Sequence, residues 1–303
     1  MTFLNIAAPH LSKRRLLLKM LRDFVYRPAS IFGRMSPINF HNARVCSGLQ
    51  MHCPVCGRDT GVTYDFPDVY LRKAHGIGLL RETLCCNSCG ASMRDRQMAI
   101  GLLLVIAERL GRTERDLQAY RQRPRDTLNI LDTDSFSSIN GVLRGLPGYT
   151  HSQFRPDLRN GEILPDGSAN VNLLDIPFKE GSFDVIMTSD VMEHVAEDDR
   201  AHREIFRCLA PQGAYVFTVP YDRCLVGNRK LTQRSGKGMP HFVLEKHVHG
   251  DPHASSGIVA HRVYGQQLIR DLCDIGYDVR FEDIESPAQG IFGGDLFLAR
   301  KRD

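Results

Sequence analysis

The sequence predicts an α/β protein, a doubly wound and mostly parallel sheet preceded by a small metal-binding ribbon. Three observations lead there. After residue 126, apolar strand-like runs alternate with helix-like segments, the pattern of a parallel sheet with helices on both faces. Ahead of that stretch stand two C-x-x-C pairs, each followed at once by glycine. The first 50 residues carry a basic excess that the remainder lacks.

The 303 residues suffice for one large domain or two modest ones with extensions. Apolar residues make up 42% and charged residues 24%, a mixture that argues against wholesale disorder. The longest apolar run, Met98 to Ala107, has ten residues, well short of the ~20 of a membrane span. The opening MTFLNIAAPHLSKRRLLLKML has no signal-like apolar segment after a basic start. A soluble, cytoplasmic protein is the expectation.

Net charge is +4, unevenly spread: residues 1–50 hold eight bases (Lys13, Arg14, Arg15, Lys19, Arg22, Arg27, Arg34, Arg44) against Asp23 alone. Within this arm Leu16, Leu17, Met20, Leu21, Phe24 and Val25 recur at helical spacing. Two readings stand: a peripheral contact with an anionic surface, or a solvated tail whose helix packs on the body. Nucleic acid is not an expected partner, since no stacking motif or further basic helix accompanies the arm.

Residues 51–97 are expected to form a zinc ribbon. Cys53-Pro54-Val55-Cys56-Gly57 and Cys86-Asn87-Ser88-Cys89-Gly90 each place two sulfurs on one tight turn. The glycine permits the left-handed backbone that closes such a turn. Two turns supply four sulfurs for a closed, tetrahedral, structural Zn²⁺ site, with Cys53, Cys56, Cys86 and Cys89 as ligands. Cys85 is an alternative ligand, although only Cys86 restores the spacing. The segment Val62–Leu84 is expected to include strands or a short helix of its own. Residues 98–126 follow as a helix ending near Gly111 and a charged connector ending at Pro124.

The large domain is expected over residues 127–303, with strands at Leu128–Leu131, Tyr149–Phe154, Val171–Leu174, Phe183–Thr188, Ala214–Val219, Tyr277–Phe281 and Leu296–Ala299. Helices are expected at Arg200–Leu209 and Gly265–Cys273, with Pro211-Gln212-Gly213 as a turn. In such sheets ligands lie beyond the carboxyl ends of the strands, near the reversal of strand order.

The stretch Ile176-Pro177-Phe178-Lys179-Glu180-Gly181-Ser182-Phe183-Asp184-Val185-Ile186, followed by Ser189-Asp190-Val191-Met192-Glu193-His194-Val195, resembles class I S-adenosylmethionine-dependent methyltransferases of the type-11 kind. The helix Ala201–Leu209 with Ala210-Pro211-Gln212-Gly213 and the strand Phe217-Thr218-Val219-Pro220 fit the same family. The later His249-Gly250-Asp251-Pro252 and Val263-Tyr264-Gly265 are similar to a subgroup that includes glycan-biosynthetic proteins, some with a zinc ribbon in front.

The resemblance implies a Rossmann-like methyltransferase sheet, S-adenosyl-L-methionine as cofactor, and methyl transfer to a small-molecule or glycan-like acceptor. It implies cofactor-binding residues at Asp132, Thr133 and Asp134 after strand one, Gln153 at the end of strand two, Asn172 and Leu173 after strand three, and Ser189 at the end of strand four. Asp132 matches the acid of the first loop, but none of that loop's glycines is present. Gln153 and Asn172 stand where the family carries acids. His194 is the candidate catalytic residue, as a base or acceptor-orienting group, against the alternative of a backbone-bonded structural histidine. The alternative function is a catalytically silent methyltransferase fold serving as a binding or scaffold protein.

Residues 221–262 form a His-rich insertion, with His241, His247, His249, Asp251, His253 and His261 beside Arg229, Lys230, Arg234 and Lys237. A second metal site and a solvated loop covering the substrate are both compatible with it. The basic residues suit an anionic acceptor.

Overall fold

The computed structural model describes residues 43–65, 77–233, 241–242, 248–249 and 258–302. The expected helix at 16–25 lies outside these residues, as do Arg234, Lys237, His247, Asp251 and His253. No helix among the described residues is long and apolar enough to cross a membrane. The chain forms two compact units, and neither is continuous in sequence. The first comprises Met1–Pro124, Phe136–Leu143 and Asp283–Gly294, and the second Arg125–Ser135, Arg144–Glu282 and Asp295–Asp303. Two segments expected in the large domain thus group with the ribbon.

In the first unit, β1 (Gln50–His52), β2 (Asp59–Tyr64) and β3 (Leu84–Cys86) form an antiparallel sheet in that order. A short helix α1 (Ile77–Thr83) precedes β3. The helix α2 begins earlier than the sequence pattern suggests and runs Met93–Leu110, because Ser92 and Asp95 form a reciprocal capping box. Gly111, with φ 65°, closes it in the left-handed conformation. The short α3 (Leu117–Arg121) is capped by Asp116, and α4 (Ser138–Leu143) also belongs to this unit.

Arg96 of α2 is completely buried. Its guanidinium donates to the carbonyls of Leu84 (3.0 Å), Ala91 (2.6 Å) and Gly290 (2.8 Å). It therefore joins β3, the turn after the second cysteine pair and the segment 283–294, with no carboxylate paired to it among the described residues. Replacing Arg96 by Met keeps an unbranched apolar stem and leaves three buried carbonyls without this donor. The expected cost is about 3–5 kcal/mol. Urea unfolding followed by amide hydrogen exchange of the first unit should show it as an earlier transition.

The second unit is built on a seven-stranded sheet: β4 (Ile130–Asp132), β5 (Tyr149–Gln153), β6 (Ala169–Asn170), β7 (Phe183–Ser189), β8 (Leu209–Thr218), β15 (Tyr277–Ser286) and β16 (Ile291–Lys301). Residues 283–294 of β15 and β16 are the part assigned to the first unit. The order is β15-β16-β8-β7-β4-β5-β6. β4 to β8 pair in parallel, and β16 runs antiparallel to β8. This is a doubly wound, Rossmann-like sheet with an antiparallel strand at one side. Helices α5 (Asp198–Cys208) and α6 (Gln267–Ile275) lie close to their expected ranges.

Two local expectations are corrected. The third strand is Ala169–Asn170 rather than Val171–Leu174, because the Asn172 side chain accepts from Leu174 N (3.0 Å) and turns the chain out of the sheet. The turn Pro211-Gln212-Gly213 lies inside β8 as a bulge, where the register jumps from Phe183↔Leu209 to Val185↔Ala214 and Gln212 takes φ 59°. The core against β8 is an aromatic stack: Tyr215 on Phe217 at 4.2 Å and Phe217 on Phe297 at 4.9 Å.

The insertion after β8 is ribbon-like. β9 (Arg229–Lys230) pairs with β14 (Arg262–Val263), β10 (Thr232–Gln233) with β11 (His241–Phe242), and β12 (Val248–His249) with β13 (Ile258–Val259). Its base is closed by Asp222 N on Tyr264 O and Tyr264 N on Pro220 O, both 2.9 Å. Gly265 is needed there, since a Cβ would lie 2.5 Å from Gly227 O and 2.6 Å from Leu225 O.

Candidate functional site

The strand order reverses between β4 and β7, so the carboxyl ends of β4, β5, β6 and β7 form the edge where a ligand belongs. All seven sequence-predicted cofactor residues fall on this edge. Asp132 ends β4 and is buried, its carboxylate accepting from Tyr149 Oη (2.7 Å) and Asp134 N (3.0 Å). Burial and the neighbouring carboxylate push the Tyr149 phenol well above its usual pKa. Thr133 donates from both its backbone N and its hydroxyl to Met187 O at 3.1 Å, and Ser135 Oγ donates to Ser152 O at 2.9 Å.

At the end of β5, Gln153 Nε2 donates to Ser168 Oγ (2.7 Å) and Asp166 Oδ2 (3.3 Å). Its Oε1 has no protein partner among the described residues. Asn172 spends Oδ1 on Leu174 N and accepts from Asp175 N with its carbonyl, while its own N–H meets Asn160 Oδ1 at 2.9 Å. The backbone N–H of Leu173 has no partner among the described residues. The exposed ring of Phe154 follows Gln153 directly.

Ser189 ends β7, and Asp190 (φ 51°) takes a left-handed turn that sends the chain into a single 3₁₀ turn, Met192–His194. Asp190 Oδ1 accepts from Thr218 Oγ1 at 2.9 Å, which holds this turn to β8. His194 Nδ1 lies 2.9 Å from Val259 O. A carbonyl only accepts, so Nδ1 carries a proton and donates to it. Nε2 stands 3.6 Å from Glu193 Oε1.

Arg262, which the sequence gave no reason to single out, fixes this segment. Its guanidinium donates to Val195 O (2.6 Å), Ala196 O (2.7 Å) and Met192 O (3.3 Å), and pairs with Asp198 at 3.1 Å. Apart from Asp198, these partners are backbone carbonyls more than 60 residues away, and carbonyl partners leave no trace in residue type.

In the first unit the four cysteine sulfurs lie within 4.8 Å of one another, with Cys53–Cys89 at 3.8 Å and Cys56–Cys86 at 3.9 Å. Four sulfurs about 2.3 Å from a tetrahedral Zn²⁺ would be about 3.8 Å apart, so the donor set fits that ion. Gly57 (φ 71°) and Gly90 (φ 79°) close the two turns, each donating its N–H to the first cysteine's carbonyl at 2.9 Å. Cys85 points elsewhere, its sulfur 4.0 Å from Glu82 O, and burial pushes its thiol up to about 12.

Residues 162–217, from the approach to β6 through most of β8, match the family model described as a methyltransferase domain. No curated protein matches the chain. Among solved structures, it is similar to an S-adenosylmethionine-dependent methyltransferase from Mesorhizobium loti, with 17% identity over 57% of this chain and 91% of that one, TM-score 0.37. A second is an S-adenosylmethionine-dependent methyltransferase from Methanosarcina mazei, with 16% identity over 58% and 93%, TM-score 0.33. A third is the Burkholderia thailandensis 1,6-didemethyltoxoflavin-N1-methyltransferase with S-adenosylhomocysteine bound, with 12% identity over 69% and 79%, TM-score 0.36.

The Asp132–Tyr149 contact is the structural keystone of the β4 end. Replacing Tyr149 by Phe removes one donor from a buried carboxylate and should cost about 1–3 kcal/mol, read as a lowered thermal midpoint.

Proposed function

We propose that this chain, whose residues 162–217 match a methyltransferase domain, methylates a small-molecule or glycan-like acceptor with S-adenosylmethionine and holds a structural zinc ion on Cys53, Cys56, Cys86 and Cys89. The cofactor supplies a methyl group already activated on a sulfonium, so the protein's work is mainly positioning. What carries the reading is the row of unspent groups at the ends of neighbouring strands. Gln153 has committed its amide hydrogens to Asp166 and Ser168, which leaves Oε1 as an acceptor suited to a ribose hydroxyl. The Leu173 N–H is a donor suited to an adenine ring nitrogen, and the Asn172 amide hydrogens remain for the same base. Asp132 acts through the loop: it holds Asp134 and leaves Thr133–Ser135 in one conformation. His194, with its proton on Nδ1, is placed to accept a proton from the acceptor at Nε2.

The cofactor site is tested by calorimetric titration with S-adenosylhomocysteine. Gln153→Glu should tighten binding by restoring a charged acceptor for hydroxyls, on the order of tenfold. His194→Ala should leave that affinity unchanged and lower turnover by about 10²-fold or more. A wild-type protein that takes up neither cofactor nor product at millimolar concentration would replace the enzyme with the silent scaffold.

For the metal, purified protein should carry about one equivalent of zinc by elemental analysis. Cys53→Ser or Cys89→Ser should release it and make residues 51–97 the first to exchange amide hydrogens. Protein expressed with abundant zinc that contains none would exclude the ribbon site.

A further inference from the structure

A cavity of about 440 Å³ opens in the second unit, between α5, α6 and the β9–β14 ribbon. This lies within the roughly 300–1,000 Å³ of small-ligand sites. Its least expected wall is His202 of α5. The residue is only 2% exposed, and neither Nδ1 nor Nε2 has a hydrogen-bond partner among the described residues. The ring stands near Tyr215 and Phe217, at centroid separations of 5.9 and 6.1 Å. Burial, and secondarily the Arg262 charge, push its pKa down to about 3, so the imidazole is neutral. A neutral imidazole has one N–H to give and one lone pair to fill.

The charges around it are largely compensated. Asp198 is paired with Arg262 at 3.1 Å, Asp199 with Arg203 at 3.1 Å, and Asp271 accepts from Gln267 at 2.6 Å. Lys230 and Asp271 are the charged groups of the wall with no ion pair among the described residues, Asp271 meeting only the side-chain amides of Gln267 and Asn228. An anion would meet the His202 donor and leave its lone pair facing another lone pair, beside three carboxylates. A hydroxyl both donates and accepts, and the carboxylates accept from further hydroxyls. Ala196, Leu268 and Ile275 add an apolar patch suited to the C–H face of a ring.

We infer that this cavity binds a neutral sugar, a hydroxyl-rich unit of the acceptor, with His202 as its central contact. The inference deepens the glycan-like acceptor reading and rests on it. The cavity adjoins the proposed transfer centre through one residue: Arg262, which lines it, also holds the carbonyls of Val195 and Ala196, directly after His194.

The test titrates full-length protein with methyl hexosides, methyl deoxyhexosides and N-acetylhexosamines, following the histidine rings by proton–nitrogen correlation spectra. At least one of these sugars should shift the His202 ring signals saturably, with a dissociation constant on the order of 1 mM. His202→Phe, which keeps a ring among Tyr215 and Phe217, should weaken that sugar about tenfold or more without changing S-adenosylhomocysteine affinity. Should His202→Phe fail to fold, Lys230→Ala on the exposed ribbon should weaken it severalfold. The inference is overturned if no sugar shifts His202, ordered water then being what satisfies the ring, or if the folded variants bind as the wild type does. Failure to bind S-adenosylhomocysteine would sink the methyltransferase reading separately, because sugar binding is read without turnover.

Discussion

The central strand β4 is buried at all three of its positions and pairs in parallel on both sides, with β5 through Ile130↔Tyr149 and with β7 through Ile130↔Val185. Parallel pairing on both flanks aligns the carboxyl ends of three strands, and the reversal of order at β4 opens a crevice there. Every group assigned to the cofactor or to proton transfer follows one of these strands or β6, which pairs in parallel with β5. The constraint is geometric and precedes the chemistry. A one-residue slip of β4 would turn Asp132 to the opposite face and separate it from Tyr149 Oη.

What could be read from the sequence follows how local each signal is. The cysteine turns were legible because two thiols and a glycine within five residues define their own geometry, and the four sulfurs do converge. Strand β7 was legible because its apolar run is continuous, as a strand buried on both faces requires. Strand β6 was misplaced because the apolar positions Val171 and Leu173 continue past the point where the Asn172 side chain turns the backbone. Apolar pattern reports burial, and here the buried residues lie outside the hydrogen-bonded ladder.

The less legible residues share a chemistry. Arg96 and Arg262 both look like ordinary surface cations in sequence, yet both serve backbone carbonyls from distant segments. For Arg96 the partner Gly290 is 194 residues away. A guanidinium offers five donors in a fixed fork, so one side chain can satisfy several loop carbonyls at once. His202 belongs with them: its position on an amphipathic helix reads as core, and only the two unpartnered nitrogens distinguish it from a packing residue.

The first loop, Asp132–Ser137, shows how an edge without glycine can still be a site. Glycine would let the backbone approach a ligand without a Cβ, but at the cost of more freedom to lose on ordering. This loop instead has its conformation set in advance, through Thr133 on Met187 O, Asp134 N on Asp132 and Ser135 on Ser152 O. The helix that continues it, α4, is anchored within the first unit at both ends. Ser138 Oγ donates to Cys89 O at 3.5 Å, and Arg121 donates to Val142 O at 2.6 Å. Arg121 belongs to α3, whose first residue, Leu117, donates to Pro54 O inside the other cysteine turn. Within the first unit, both cysteine turns therefore hold this helix. A loop fixed from its own side chains has little ordering entropy left to lose when a ligand arrives, which offsets part of the contact surface that the missing glycines would have given.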